Sequence, residues 1–223
     1  METTKSTLPK TAVAIMGSDN VIELEEVVKL FPCDRKAREK HNLIPFSPEL
    51  LYNCSEPKNQ CILFPGIAFS GGRSLTMHRL HSLSMLNKWD FFLPFPREYE
   101  SMKAHFLFEK TCEARWYLIS KDVLNETSIR QRCSETGYVR ENFRAAPAVV
   151  YALAWILFKL LRSTQLFPKR LLMTGDRVTD RVRIGHVYLG FKTGKILARE
   201  MRILPSAENT FMGYATSVDP GTE

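Results

Sequence analysis

Apolar residues recur at helical spacing over residues 21–30 (VIELEEVVKL), and Pro32 closes the run, so a short helix is predicted there. Residues 74–86 (SLTMHRLHSLSML) carry the same period and predict an amphipathic helix with Ser74 as its cap. Residues 145–161 (AAPAVVYALAWILFKLL) are apolar nearly all round. That pattern predicts a helix buried on several sides, with Pro147 in its first turn and Tyr151 and Trp155 as its largest packing groups. A bilayer crossing takes about 20 apolar residues. This run holds 17, includes Lys159 and meets Arg162 at once, so no membrane span is expected.

Elsewhere the pattern is that of strands and turns. Residues 61–64 read as a buried strand stopped by Pro65-Gly66, and residues 116–123 (WYLISKDV) have strand composition. Pro45 and Pro48 favour extended and turn conformations over residues 42–51. Residues 69–73 (FSGGR) read as a loop, residues 90–96 (DFFLPFP) as a non-helical connection, and residues 125–135 as a connection or short helix. After the long helix, residues 170–173, 181–189, 195–204 and 211–218 read as four strands separated by Gly and Pro turns. Helices early and strands late predict an α+β fold, with helices packed on a small, mainly antiparallel C-terminal sheet. The expected organisation is a flexible arm and short helix over residues 1–40, then a single domain over residues 41–223.

Composition excludes disordered, collagen-like and coiled-coil chains, since 44% of the 223 residues are hydrophobic and 25% charged. The net charge of +7 changes the picture, because it is confined to one stretch. Residues 162–202 hold ten basic residues against three acidic ones, while the other 182 positions carry 21 of each sign. Such a stretch attracts phosphate, acidic polymer or an anionic surface, or serves as a solvated face. The cysteines Cys33, Cys54, Cys61, Cys112 and Cys133 form no C-x-x-C pair, which predicts reduced, mostly buried thiols rather than a disulfide scaffold or zinc site. The first 20 residues lack the apolar core of a signal peptide, pointing to the cytoplasm, where the sequon Asn125-Glu126-Thr127 carries little weight.

Candidate chemistry is sparse. His78 and His81 share a helical face, but that segment offers no carboxylate or cysteine to complete a metal site. His105 and Cys112 are candidates for a base and a nucleophile, although Glu113 beside the thiol works against a thiolate. Residues 71–74 (GGRS) lack phosphate-loop spacing, and residues 190–195 (GFKTGK) lie between two strands with no helix to face a phosphate, so both read as turns. The basic strands are more informative. In residues 181–184 (RVRI), Val182 and Ile184 are expected to face the core and Arg181 and Arg183 to point outward. Gly185 is expected to shift the phase as a β-bulge, because Val187 and Leu189 form the next apolar pair. Lys192 and Lys195 then sit on a turn and Arg199 on the next strand, so several cations share a surface with Tyr188 and Phe191. A surface of that kind binds polyanions by counterion release and stacks on single-stranded bases, although no nucleic-acid motif accompanies it.

The succession of residues 44–47 (IPFS), 61–66 (CILFPG), 116–121 (WYLISK), 125–128 (NETS), 147–151 (PAVVY), 166–168 (LFP) and 181–185 (RVRIG) resembles a family of uncharacterised bacterial proteins common in candidate-phylum genomes. Members of that family end in a pattern similar to the C-terminal core of C-type-lectin-like and formylglycine-generating-enzyme-like folds, of the kind that serves as the variable target of diversity-generating retroelements. The counterpart here is residues 181–185 with Gly213-Tyr214-Ala215. The resemblance implies a binding or display protein on an α+β, C-type-lectin-like scaffold. It does not imply oxidase chemistry, whose copper-binding cysteines lie late in those chains, because no cysteine follows Cys133 here.

The expected function is therefore that of a non-enzymatic binding protein, without cofactor or metal. Arg181, Arg183, Tyr188, Lys192, Lys195 and Arg199 would contact a protein or polyanionic partner. One alternative is a nucleic-acid-binding protein using the same surface, and another is an enzyme with a cysteine or histidine centre.

Overall fold

The computed structural model describes residues 6–33, 39–56, 60–95, 97, 104–121, 143–167, 171–179, 184–192, 195–201, 212–213 and 216–218. Their helices are α1 (Pro9–Met16), α2 (Leu24–Leu30), α3 (Pro48–Ser55), α4 (Met77–Leu86), α5 (His105–Phe108) and α6 (Ala148–Arg162). Their strands are β1 (Cys61–Pro65), β2 (Phe69–Ser70), β3 (Arg73–Ser74), β4 (Trp116–Ser120), β5 (Phe143–Ala145), β6 (Leu171–Thr179), β7 (Ile184–Lys192), β8 (Lys195–Met201), β9 (Met212–Gly213) and β10 (Thr216–Val218). One sheet has the order β1-β4-β10-β5 and is antiparallel. The other has the order β8-β7-β6-β9, antiparallel except where β9 lies parallel to β6. The fold is α+β, and no helix among the described residues is long and apolar enough to cross a membrane.

The all-round apolar run becomes α6 because it has neighbours on every side. Every residue from Ala148 to Phe158 is buried. Its core joins Ile62, Phe64, Tyr117 and Ile119 of the first sheet to Leu172, Val187, Leu189, Phe191, Ile196 and Ala198 of the second. The first sheet is covered on its other face as well. Leu63, Trp116 and Leu118 pack there with Ala12 and Met16 of α1 and Leu50, Leu51 and Cys54 of α3. The register explains the division: Ile62↔Ile119 and Phe64↔Tyr117 alternate with Leu63↔Leu118 and Pro65↔Trp116. With both faces covered, β1 and β4 are buried at every position, which is why each reads as a continuous apolar run rather than an alternation.

Several expectations are corrected. Where a flexible arm was expected, Thr7 pairs with Ile44 through backbone hydrogen bonds of 2.8 and 2.9 Å, and α1 buries Ala12 and Met16. Pro48 opens α3 instead of preventing a helix. It stands in the first turn, where no N–H is needed, and Ser47 caps the helix by accepting the Leu50 N–H at 3.2 Å. The cap of α4 is Thr76, whose hydroxyl accepts the Arg79 N–H, while Ser74 belongs to β3. The loop at residues 69–73 is a tight β2–β3 hairpin, with Gly71 and Gly72 at φ 58° and 74°, the positive values that both central residues of such a turn require. Residues 211–218, expected as one strand, contribute β9 to one sheet and β10 to the other.

Candidate functional site

The β7–β8 ribbon carries four of the six sequence-derived site positions. Its cross-strand pairs Tyr188↔Arg199, Gly190↔Leu197 and Lys192↔Lys195 alternate with Leu189↔Ala198 and Phe191↔Ile196, whose members are buried. Alternation therefore assigns positions 188, 192, 195 and 199 to the face turned away from α6. On that face Gly190 is buried, and Lys195 and Leu197 are half-buried. Arg181 and Arg183 lie outside the described residues.

Three details depart from the sequence reading. Phe191 is not on the basic surface, because it is buried and stacked on Trp155 with ring centroids 5.9 Å apart. Lys195 is held by Asp90 at 2.6 Å, with its side chain 33% exposed. Arg162, counted with the basic stretch, is committed to Glu26 at the opposite end of the chain. The edge strand β8 is itself covered where Phe92 pairs with Ile196 in parallel.

A second polar feature was not found from the sequence. The expected irregularity at Gly185 is absent: Arg177↔His186, Val178↔Gly185 and Thr179↔Ile184 are in register, and the shift falls in β6 between Met173 and Arg177. Within it the Thr174 hydroxyl donates to the Val187 carbonyl at 3.0 Å and lies 3.2 Å from the Asp176 N–H that it accepts. The bulge buries the Asp176 side chain, whose Oδ2 accepts the Ala148 N–H at 2.6 Å. Helix α6 has Pro147 at its cap position with no side-chain hydrogen bond, so β6 supplies the missing acceptor from 28 residues away. The other carboxylate oxygen, Oδ1, has no hydrogen-bond partner among the described residues.

Burial holds the Asp176 carboxyl above its ordinary value of 3.8, against the pull of the Ala148 N–H and of nearby Lys110 and His105. A carboxyl raised in the fold contributes most to stability below its ordinary value and loses that contribution as pH climbs through the raised one. Asp176→Asn, which keeps an acceptor for Ala148 and cannot ionise, is therefore expected to gain on the wild type as pH rises into the neutral range. Asp176→Ala leaves the Ala148 N–H unpaired and is expected to cost about 1–2 kcal/mol. Urea unfolding of both variants at acid and neutral pH checks this, and an Asn variant that gains nothing on the wild type between the two contradicts it.

The remaining candidates are occupied with structure. Cys112 is fully buried, and desolvation pushes its thiol up to about 12, so it stays protonated at neutral pH. His105, its candidate base, is exposed and lies 3.4 Å from Glu109 one turn on. His78 packs on Phe108, and His81 lies against Phe92 and Phe95. No group of three or more His, Cys, Asp or Glu side chains among the described residues is placed to hold a metal ion.

A cleft of about 430 Å³ lies between the first turns of α1 and α2, walled by Leu8, Pro9, Leu24 and Trp116 and edged by Lys10 and Glu25. Polar groups in its lining serve the fold. Trp116 Nε1 donates to the His41 carbonyl at 3.1 Å, His41 Nε2 donates to the Gly66 carbonyl at 2.8 Å, and Glu23 forms the capping box of α2 with Glu26. Comparison of the chain with protein-family models, curated proteins and solved structures gives no match.

Proposed function

We propose that this chain is a recognition protein that engages an anionic macromolecular partner through the outward face of the β7–β8 ribbon. The observation that carries the reading is the register, which brings positions 188, 192, 195 and 199 to one face of two paired strands, opposite a buried apolar face. Charge supports it independently, since residues 171–201, which form this ribbon and the strand before it, hold six basic residues against three acidic ones. A rigid, half-cored sheet holds such groups in place at no further ordering cost, and a cationic surface accelerates encounter with an anionic partner.

The test uses a labelled single-stranded oligonucleotide as a soluble polyanion, followed by fluorescence anisotropy. Binding is expected to weaken roughly fiftyfold between about 50 and 200 mM salt if about four phosphates are contacted. Replacing Arg181, Arg183, Lys192 and Lys195 together by alanine is expected to remove it while the circular dichroism spectrum stays that of the wild type. Equal retention by the quadruple variant, or no retention by the wild type at low salt, sinks the reading.

A further inference from the structure

We infer that the cleft between the first turns of α1 and α2 is a binding site for a small zwitterion with an apolar side chain, the chemistry of a free apolar amino acid. Its sides differ in kind. Helix α1 brings Lys10, α2 and its cap bring Glu23 and Glu25, and β4 brings the indole of Trp116, with Leu8 and Leu24 as apolar lining between them. The volume of about 430 Å³ falls in the range that small ligands use.

The frame is preformed. Helix α1 is fixed by the backbone pair of Thr7 with Ile44 and by burying Ala12 and Met16. Helix α2 is fixed by its capping box and by Val27 in the core, and just before it the Ile22 N–H donates to the Leu63 carbonyl at 2.9 Å. Trp116 is 2% exposed and its Nε1 is committed to the His41 carbonyl, so its ring stays in place as a floor. A ligand therefore meets walls that need no ordering.

Glu23, His41 and Trp116 use their polar groups for the fold, but Lys10 and Glu25 do not. Both are exposed and carry opposite charge on facing walls, and among the described residues neither is in an ion pair, with the other or with any third group. Leu8 is an independent sign. It occupies the cap position of α1, where leucine is among the poorest choices and serine, threonine or aspartate would accept an N–H of the first turn. Its side chain is 60% exposed, so the core does not account for it either. An apolar side chain is kept at the edge of the cleft against the preference of the helix that begins there.

Charge selects the ligand. A wholly apolar molecule would cover Lys10 and Glu25 without pairing either. A simple anion meets two carboxylates on the α2 side, and a simple cation meets Lys10 on the α1 side. A zwitterion sets its carboxylate on Lys10 and its ammonium on Glu25, and its side chain then lies on Leu8, Leu24 and Trp116. None of these residues belongs to the β7–β8 ribbon, so the oligonucleotide titration bears on a different surface.

The experiment follows the Trp116 indole N–H by NMR in the full chain. The probes are L-phenylalanine, 2-phenylethylamine, which lacks the carboxylate, and 3-phenylpropionate, which lacks the ammonium. Phenylalanine is expected to shift that signal with a Kd of about 2 mM or tighter, the strength open to a ligand of its size. Each half-charged probe is expected to bind about fivefold more weakly. Lys10→Gln is expected to weaken phenylalanine about fivefold and leave phenylethylamine unchanged, whereas Glu25→Gln weakens both. Leu8→Ser is expected to melt at a higher temperature, through the cap it gains, yet bind phenylalanine about threefold more weakly, opposite shifts that a merely structural leucine would not produce.

Either half-charged probe binding as tightly as phenylalanine overturns the inference, because one charged wall would then do nothing. So does a Trp116 signal unmoved by about 10 mM phenylalanine, well above the expected Kd. Phenylalanine affinity unchanged in both Lys10→Gln and Leu8→Ser overturns it as well.

Discussion

Replacing Gly66 by alanine is expected to destabilise the protein by about 3 kcal/mol, at the upper end of what overpacking a core costs. Gly66 follows β1 at the point where five groups close on the backbone. Its N–H donates to the Arg115 carbonyl at 2.8 Å, and its carbonyl accepts His41 Nε2 at 2.8 Å, so the residue is held from both sides. A Cβ here would lie 2.5 Å from the Glu113 carbonyl oxygen and 2.7 Å from Cys112 Sγ, and closer still to the Tyr117 ring. The carbonyl is backbone and cannot rotate aside. The Tyr117 hydroxyl accepts the Glu113 N–H at 3.1 Å, and the Arg115 guanidinium lies over its ring at 4.8 Å, so that ring is pinned as well. Adding Cys112→Ala to Gly66→Ala removes one of the three clashes and is expected to restore only part of the loss. Chemical denaturation measures both, and a loss below about 1 kcal/mol for Gly66→Ala would mean that the loop yields more easily than close packing allows.

Arg162→Ala is expected to cost about 2–3 kcal/mol. Its guanidinium has five N–H donors and uses all of them. Nε donates to the Ser18 carbonyl at 2.9 Å, one terminal nitrogen to Glu26 Oε1 at 2.7 Å and Leu161 O at 3.2 Å, and the other to Val21 O and Glu26 Oε2, both at 2.7 Å. The residue ties the end of α6 to the segment that leads into α2, closing the fold across 136 residues. Breaking a fully buried pair costs about 3–5 kcal/mol; the Glu26 side chain is 29% exposed, so solvent recovers part of that. Arg162→Lys is expected to recover less than half, because an ammonium cannot reproduce the two-pronged contact with the carboxylate.

The same pair sets an acid-side dependence. The hydrogen bond from Arg162 is the largest influence holding Glu26 below its ordinary value of 4.5. A depressed carboxyl contributes its full stability above that ordinary value and loses it as pH falls through the folded-state value. The difference between wild type and Arg162→Ala should therefore be constant near neutrality and shrink below about pH 4.5. Melting curves across that window test it; a gap that persists undiminished into acid would assign the effect to the contacts with backbone carbonyls alone.

Elements buried on all sides were legible in the sequence. Residues 145–161 announce α6, and residues 61–64 and 116–123 announce β1 and β4, because a segment with neighbours on every face must be apolar throughout, whatever those neighbours are. The concentration of charge in residues 162–202 and the hairpin between Lys192 and Lys195 were legible for a similar reason, each being a property of consecutive residues. Helix α3 was legible in principle: Ser47-Pro48-Glu49 is a cap, a first-turn proline and a first-turn acid, a start signal outweighed by reading Pro48 as a breaker.

Other features depended on partners far along the chain. The short helix α1 acquires its buried face from Ile44, Phe46 and α3, none of which its own eight residues specify. Phe191 and Tyr188 are both aromatics in one strand, and only the pairing of β7 with β8 over α6 sends one inward and leaves the other position on the face turned away from α6. Asp176 is a lone acid in an apolar strand until a bulge in β6 turns it to a helix that began 28 residues earlier. Arg162 is one cation among ten until the end of α6 meets Glu26. Local patterns report whether a residue is to be buried, because burial selects for composition. Which partner a polar group meets is decided by strand register and by how layers close on one another, and those are settled only when distant segments compete for the same surface.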